Sequence, residues 1–232
     1  MSPKLIVALD FNTQNEALSL VDQLEPTACA LKVGSELFTL FGADFVKQLV
    51  DRHFNVFLDL KFHDIPNTVA KACQAGADLG VWMMNIHASG GLQMMKAANK
   101  ALEPYGKDKP LLIAVTVLTS FSEADLVRIG VVRSVLEHVK NLAILSQEAG
   151  LDGVVSSAYE VAAIKEVCGL KFISVTPGIM LATGSKDDQS RVMTPQHAMK
   201  EGSDYLVIGR PITQSSDPAL VVSEILRSIT SS

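Results

Sequence analysis

Asp59, Lys61 and Asp64 fall within six positions of one another, in the segment Asp59-Leu60-Lys61-Phe62-His63-Asp64-Ile65-Pro66-Asn67-Thr68. The apolar run just before them, 55–58, reads as a strand. Strand residues i and i+2 point to one side, so Asp59 and Lys61 share a face and Leu60 takes the other. A lysine fixed beside a carboxylate stays charged. It is suited to stabilise negative charge on a bound molecule and to deliver a proton to it. Pro66 and Asn67 then open a helix. Charges alternating at the end of a strand work against stability, which is how catalytic sites are commonly built. The plainer reading is an ion-pair network that shapes an interface.

Placing such a cluster requires a frame. Strand-like runs occur at 4–9, 29–33, 55–60, 80–86, 111–117, 153–155, 172–175 and 205–208, eight in all. Helical patterns lie between them, at 16–24, 37–50, 69–75, 92–102, 135–149, 159–167, 195–200 and 218–229. Thr13 with Glu16 reads as a capping box. Thr194-Pro195 and Asp217-Pro218 read as an N-cap followed by proline at the first helical position. The strands are rich in Val, Ile and Leu, as expected when both faces are covered. Eight βα units predict an α/β fold of the (β/α)8 TIM-barrel type, with a doubly wound sheet as the structural rival. With no linker and no low-complexity segment, residues 1–232 are expected to form one domain.

In such a barrel the active site lies at the C-terminal ends of the strands. Polar residues collect there: Asp10, then Lys32 and Gly34, Asp59 and Lys61, His87, Leu118-Thr119-Ser120, Thr176-Pro177-Gly178, and Gly209-Arg210. The ends of strands 7 and 8 suit a phosphate, with Gly209 allowing close backbone approach and Arg210 pairing bidentately. The segment 177–193, with Gly178, Gly184, Ser185 and Gln189, is long for a connector and reads as a lid. His63 is expected to bond backbone, and His87 sits at the mouth. His53, His138 and His197 read as helix or surface residues. Trp82, Met83 and Met84 read as packing residues. Arg128 and Arg133 are placed in a solvated connection.

The formal net charge is −5, which argues against nucleic acid or a polybasic membrane contact. No apolar stretch approaches the ~20 residues of a membrane span, and the run 5–9 is too short for a signal peptide. Cys29, Cys73 and Cys168 have no metal-ligand spacing. They read as reduced, buried thiols in a cytoplasmic protein.

Taken together, these residues resemble a known family, orotidine 5′-phosphate decarboxylase of the bacterial type. The resemblance rests on Asp59-x-Lys61-x-x-Asp64-Ile65-Pro66-Asn67-Thr68. It extends to Ala8-Leu9-Asp10, Leu31-Lys32-Val33-Gly34, Leu118-Thr119-Ser120, Thr176-Pro177-Gly178-Ile179, Asp187-Asp188-Gln189 and Gly209-Arg210-Pro211-Ile212. It implies a homodimer that converts orotidine 5′-phosphate to UMP and CO2 in pyrimidine biosynthesis, with no cofactor and no metal. Lys32, Asp59 and Lys61 would form a charged array with Asp64 of the partner subunit. Ile65 and Thr68 would reach into the neighbour's site. Asp10 and Lys32 would touch the ribose, Thr119 and Ser120 would face the pyrimidine, and Pro177 would line the same site. Gln189, Gly209 and Arg210 would hold the phosphate. After Pro177-Gly178-Ile179 the family pattern has an arginine that reaches the phosphate; here the residue is Met180. A thioether carries no charge and donates no hydrogen bond. Losing that contact weakens substrate binding by about 1.5–3 kcal/mol, and Arg191 is the candidate replacement.

In the chemistry so implied, loss of CO2 leaves an electron pair on C6 of the pyrimidine. Lys61 would stabilise it and then protonate it, while Asp59 holds Lys61 and Lys32 charged and fixed. Two rivals remain. One is a metal-dependent decarboxylase of the 3-keto-gulonate 6-phosphate type, which shares the short Asp-x-Lys-x-x-Asp motif. Asp10, Asp59 and Asp64 could surround Mg2+, but two lysines in the cluster oppose it. The other is a catalytically silent phosphometabolite-binding barrel.

Overall fold

The structure, a computed structural model, describes residues 3–181 and 193–230. Its strands are β1 (Leu5–Ala8), β2 (Ala30–Gly34), β3 (Val56–Phe62), β4 (Met83–His87), β5 (Leu111–Val115), β6 (Gly153–Val155), β7 (Ile173–Thr176) and β8 (Tyr205–Ile208). Each pairs in parallel with the next, and β8 pairs with β1. The sheet is therefore a closed (β/α)8 barrel, and the doubly wound rival, an open sheet, is set aside. Around it run α1 (Gln14–Val21), α2 (Ser35–Asp51), α3 (Pro66–Asp78), α4 (Gly91–Leu102), α5 (Glu123–Arg128), α6 (Val135–Glu148), α7 (Ala158–Cys168), α8 (Pro195–Lys200), α9 (Arg210–Thr213) and α10 (Pro218–Thr230).

Local chemistry explains most of these boundaries. The Thr194 hydroxyl accepts the His197 N–H at the start of α8, and the Asp217 carboxylate accepts the Leu220 N–H at the start of α10. At α1 the expected capping box forms only in half. Thr13 accepts the Glu16 N–H, but the Glu16 carboxylate accepts a hydrogen bond from the Thr13 hydroxyl instead of reaching the cap backbone. Two short helices were not expected. The first, α5, starts from a full capping box between Ser122 and Asp125 and carries Arg128, which therefore belongs to a helix and not to a connection. The second, α9, follows directly on β8.

Alternation along the strands builds two cores. Ile6, Ala8, Ala30, Phe57, Met83, Ile113, Val175 and Val207 fill the barrel. Their neighbours, among them Leu5, Val7, Leu31, Leu58 and Met84, face outward into the layer beneath the helices. Met83 and Met84 are thus core residues on opposite faces, and Trp82 packs edge-on against Tyr205. Glycine is required at 153, where a Cβ would overlap the Ile173 carbonyl. All three cysteines are buried and unpaired, and burial pushes the Cys29 and Cys73 thiols up to about 12.

At the N-terminal ends of the strands, the Lys165 ammonium leaves α7 and enters the protein. It donates to Asp204 Oδ2 at 2.7 Å, to the Phe172 carbonyl at 2.6 Å and to the Leu170 carbonyl at 3.1 Å. The same Asp204 oxygen accepts the Ser174 N–H at 2.8 Å. One ion pair thus ties a helix to the starts of β7 and β8, at the end of the barrel away from the polar cluster. Replacing Lys165 with methionine leaves a carboxylate and two carbonyls short of a donor. Urea unfolding of this variant is expected to show a loss of about 2–3 kcal/mol. Ligand binding at the opposite end should be unchanged.

Candidate active site

The inner faces of the strands change character toward their C-terminal ends. Ala8 is followed two residues on by Asp10, Ala30 by Lys32, Phe57 by Asp59 and then Lys61, and Met83 by Asn85 and then His87. The period of two that fills the barrel with apolar groups therefore delivers charge to its mouth. Phe57 and Val207, from the apolar inner core, underlie a cavity of about 200 Å³. Its walls are Val115, Val117, Leu118, Thr119, Val155, Ser156 and Pro177, and its charged side is Lys32, Asp59 and Lys61.

Asp59 is the centre of the charged side. It is only 8% exposed. Lys61 Nζ donates to its Oδ1 at 2.7 Å, Asn85 Nδ2 donates to the same oxygen at 2.7 Å, and Lys32 Nζ stands 3.4 Å from Oδ2. Lys32 also lies 3.5 Å from the more exposed Asp10. The array Asp10–Lys32–Asp59–Lys61 is thus continuous within one chain. The backbone at Lys61 is left-handed, with φ +50°, and its N–H donates to Asn85 Oδ1 at 2.8 Å.

Asp64 stands apart. Its carboxylate accepts the Ile65 N–H at 2.6 Å, and among the described residues it makes no ion pair. Asp64 and Thr68 are exposed, as is Ile65, an apolar side chain 67% open to solvent. Thr119 and Pro177 line the cavity, while Ser120 is exposed and does not. Gly209 adjoins Asp10, whose Oδ2 lies 3.6 Å from where a Cβ on the glycine would stand. Arg210 is exposed and begins α9. Met180 is 49% exposed, and its N–H donates to the Met193 carbonyl at 3.1 Å. Gln189, Arg191 and most of the segment read as a lid lie outside the described residues.

His63 corrects an expectation. It makes no hydrogen bond to backbone among the described residues, and its ring instead lies 5.4 Å from that of His87. Burial first, then the neighbouring His63 and Lys61, push the His87 imidazole below its ordinary pKa, against a smaller opposing pull from Asp59. The neutral ring is therefore favoured beside the array.

Two polar residues of the site were not singled out from sequence. Asn85 sits in the apolar run 80–86, but it falls on the inner face with Met83, and a polar residue at such a position was the available signal. Ser156 is 1% exposed, lines the cavity, and its hydroxyl has no partner among the described residues. It follows a strand too short to show a pattern. The apolar walls, Val115, Val117, Val155 and Val207, read from sequence only as core.

Known proteins match this chain in both sequence and fold. Residues 3–225 match the family model described as "Orotidine 5'-phosphate decarboxylase / HUMPS family". A protein of Legionella pneumophila (strain Corby) named orotidine 5′-phosphate decarboxylase is 67% identical, over 99% of this chain and 100% of its own. One of the same name from Mannheimia succiniciproducens is 60% identical, over 100% of this chain and 97% of its own. The crystal structure of orotidine 5′-phosphate decarboxylase from Lactobacillus acidophilus superimposes with a TM-score of 0.87 at 38% identity, covering 99% of each chain. A crystal structure of an uncharacterized conserved protein from Geobacillus kaustophilus gives 0.85 at 39% identity, covering 97% of this chain and 99% of that one. The array of Lys32, Asp59 and Lys61 thus sits in a barrel that matches along nearly its whole length, and the chain belongs to the orotidine 5′-phosphate decarboxylase / HUMPS family.

Proposed function

We propose that this protein decarboxylates orotidine 5′-phosphate to UMP and CO2, as a cytoplasmic step of pyrimidine synthesis, with residues 1–232 acting as one domain. The observation that carries the reading is the Lys61 ammonium held 2.7 Å from a buried carboxylate at the edge of an apolar cavity. The names of the relatives support the substrate.

The reaction breaks the bond from C6 to the carboxyl carbon. CO2 leaves, and the electron pair stays on C6. A cation already in place, in a pocket walled by valines, stabilises that pair more than mobile water would. Lys61 Nζ then gives a proton to C6 and recovers one from solvent. Asp59 and Lys32 keep Lys61 charged and oriented. Asp10 and Lys32 meet the ribose, Thr119 and Ser120 the pyrimidine, and Gln189, Gly209 and Arg210 the phosphate. No metal or organic cofactor enters the scheme.

The assembly we infer is a homodimer in which Asp64, Ile65 and Thr68 of one copy complete the site of the other. The exposure of Ile65 beside two exposed polar residues, next to the array, supports it.

Mixing the protein with orotidine 5′-phosphate should abolish orotate absorbance at the same rate with and without EDTA. No loss from folded protein would sink the reading, and loss only without EDTA would favour a metal-dependent relative. Lys61→Ala should lower kcat by about 10³-fold or more while UMP still binds; unchanged turnover would remove Lys61 from the chemistry. Met180→Arg should restore a charge-assisted phosphate contact. A fall in KM of about tenfold or more is expected, since 1.4 kcal/mol is a factor of ten. An unchanged KM would show that this position does not reach the phosphate.

A further inference from the structure

Strands β3 and β4 fall out of register where the charges sit. Leu58 pairs with Met84 and Phe62 with Ile86, so three residues of β3, Asp59 to Lys61, face the single residue Asn85 of β4. The surplus backbone is accommodated at Lys61, whose φ of +50° lies in the left-handed region. That conformation costs a residue with a Cβ about 1–2 kcal/mol, and it persists where the surroundings over-determine it.

Asn85 supplies the determination. It is fully buried. Its Oδ1 accepts the Lys61 backbone N–H at 2.8 Å, and its Nδ2 donates to Asp59 Oδ1 at 2.7 Å. The Lys61 ammonium reaches that same oxygen at 2.7 Å. One short amide thus holds both ends of the pair, the backbone of the lysine and the carboxylate it salt-bridges. An ionised aspartate at this position has no donor, and a leucine has neither donor nor acceptor.

We propose that Asn85 is a positioning residue for the reaction, setting the Lys61 ammonium against Asp59 by clamping the bulged backbone and the carboxylate together. The inference rests on the decarboxylase reading above and deepens it. Asn85 is absent from the residues lining the cavity, so it acts through Lys61 and Asp59. Its loss should affect the chemical step and leave ground-state binding largely intact.

The test uses the full chain and two variants. Asn85→Leu keeps the branching and the number of side-chain heavy atoms, and removes both bonds. A misplacement of the lysine by about 1 Å is worth about 10²-fold, so kcat should fall by about that factor with KM nearly unchanged. Asn85→Asp gives a second, sharper readout. When protonated, its hydroxyl donates to Asp59 and its other oxygen accepts the Lys61 N–H. When ionised, it repels Asp59 and draws the Lys61 ammonium toward itself. The groups it contacts are Asp59 and Lys61 on β3; Lys32 on β2 stands against Asp59, His87 lies two residues on along β4 beside His63, and its β5 partner is Ile113, which does not titrate. Relative to wild type at each pH, kcat of Asn85→Asp should recover by about tenfold or more between about pH 8 and pH 5.5, because two adjacent carboxylates share a proton at low pH.

A kcat of Asn85→Leu close to wild type in folded protein would overturn the proposal. So would an effect confined to KM, or an Asn85→Asp profile parallel to wild type. If both variants fail to fold, deuterium exchange at the Lys61 amide of the wild type decides: protection is expected, and exchange at the rate of an open amide would refute the clamp. The wild type is assayed first. Its failure to turn over would remove the decarboxylase reading, while the exchange measurement would still report on Asn85.

Discussion

Asp59 brings a negative charge to a position only 8% exposed, and a carboxylate there is tolerable only where donors meet it. Lys61, Asn85 and Lys32 meet it, one on its own strand and one on each flanking strand. Removing any donor leaves the others beside an under-satisfied anion, so the four groups hold together as a unit. The mouth of the barrel is organised around this constraint. The left-handed turn at Lys61, the register shift against β4 and the reach of Lys32 from β2 all serve to deliver donors to one carboxylate.

The rest of the fold frees that end from duties of stability. The apolar inner core lies below the charges, and the outer core surrounds it under the helices. The buried cation of the opposite end, Lys165, bonds to the starts of β7 and β8, a full strand length from the array. Strain at the mouth is therefore carried by a barrel closed by hydrogen bonds on every side, with no free sheet edge to give way.

Much of this was legible in the chain. Eight apolar runs separated by amphipathic ones predicted a barrel with a doubly wound sheet as rival, and period two placed Asp59 and Lys61 on one face. What escaped has physical reasons. β3 runs to Phe62, two residues beyond its apolar run, because pairing resumes after the bulge, and no pattern of hydrophobicity encodes a bulge. Asn85 was hidden in an apolar strand whose covered faces make every residue look like core. His63 was expected to bond backbone, but the ring of His87 waits on the adjacent strand, a contact set by tertiary structure alone. The short α5 spans six residues, too few for an apolar period to show. The segment around Gln189 was read as a lid and lies outside the described residues.

The uncharged wall of the cavity has its own consequence. Val115, Val117, Val155 and Val207 line it, and a β-branched side chain is stiff about χ1. Such a wall does not repack around a guest of different outline. Nor does it offer polar atoms to be matched. Where the valines face it, the protein selects by contour. A molecule of the right width but with different polar edges would pass these valines, and only the hydroxyls of Thr119 and Ser156 would read it.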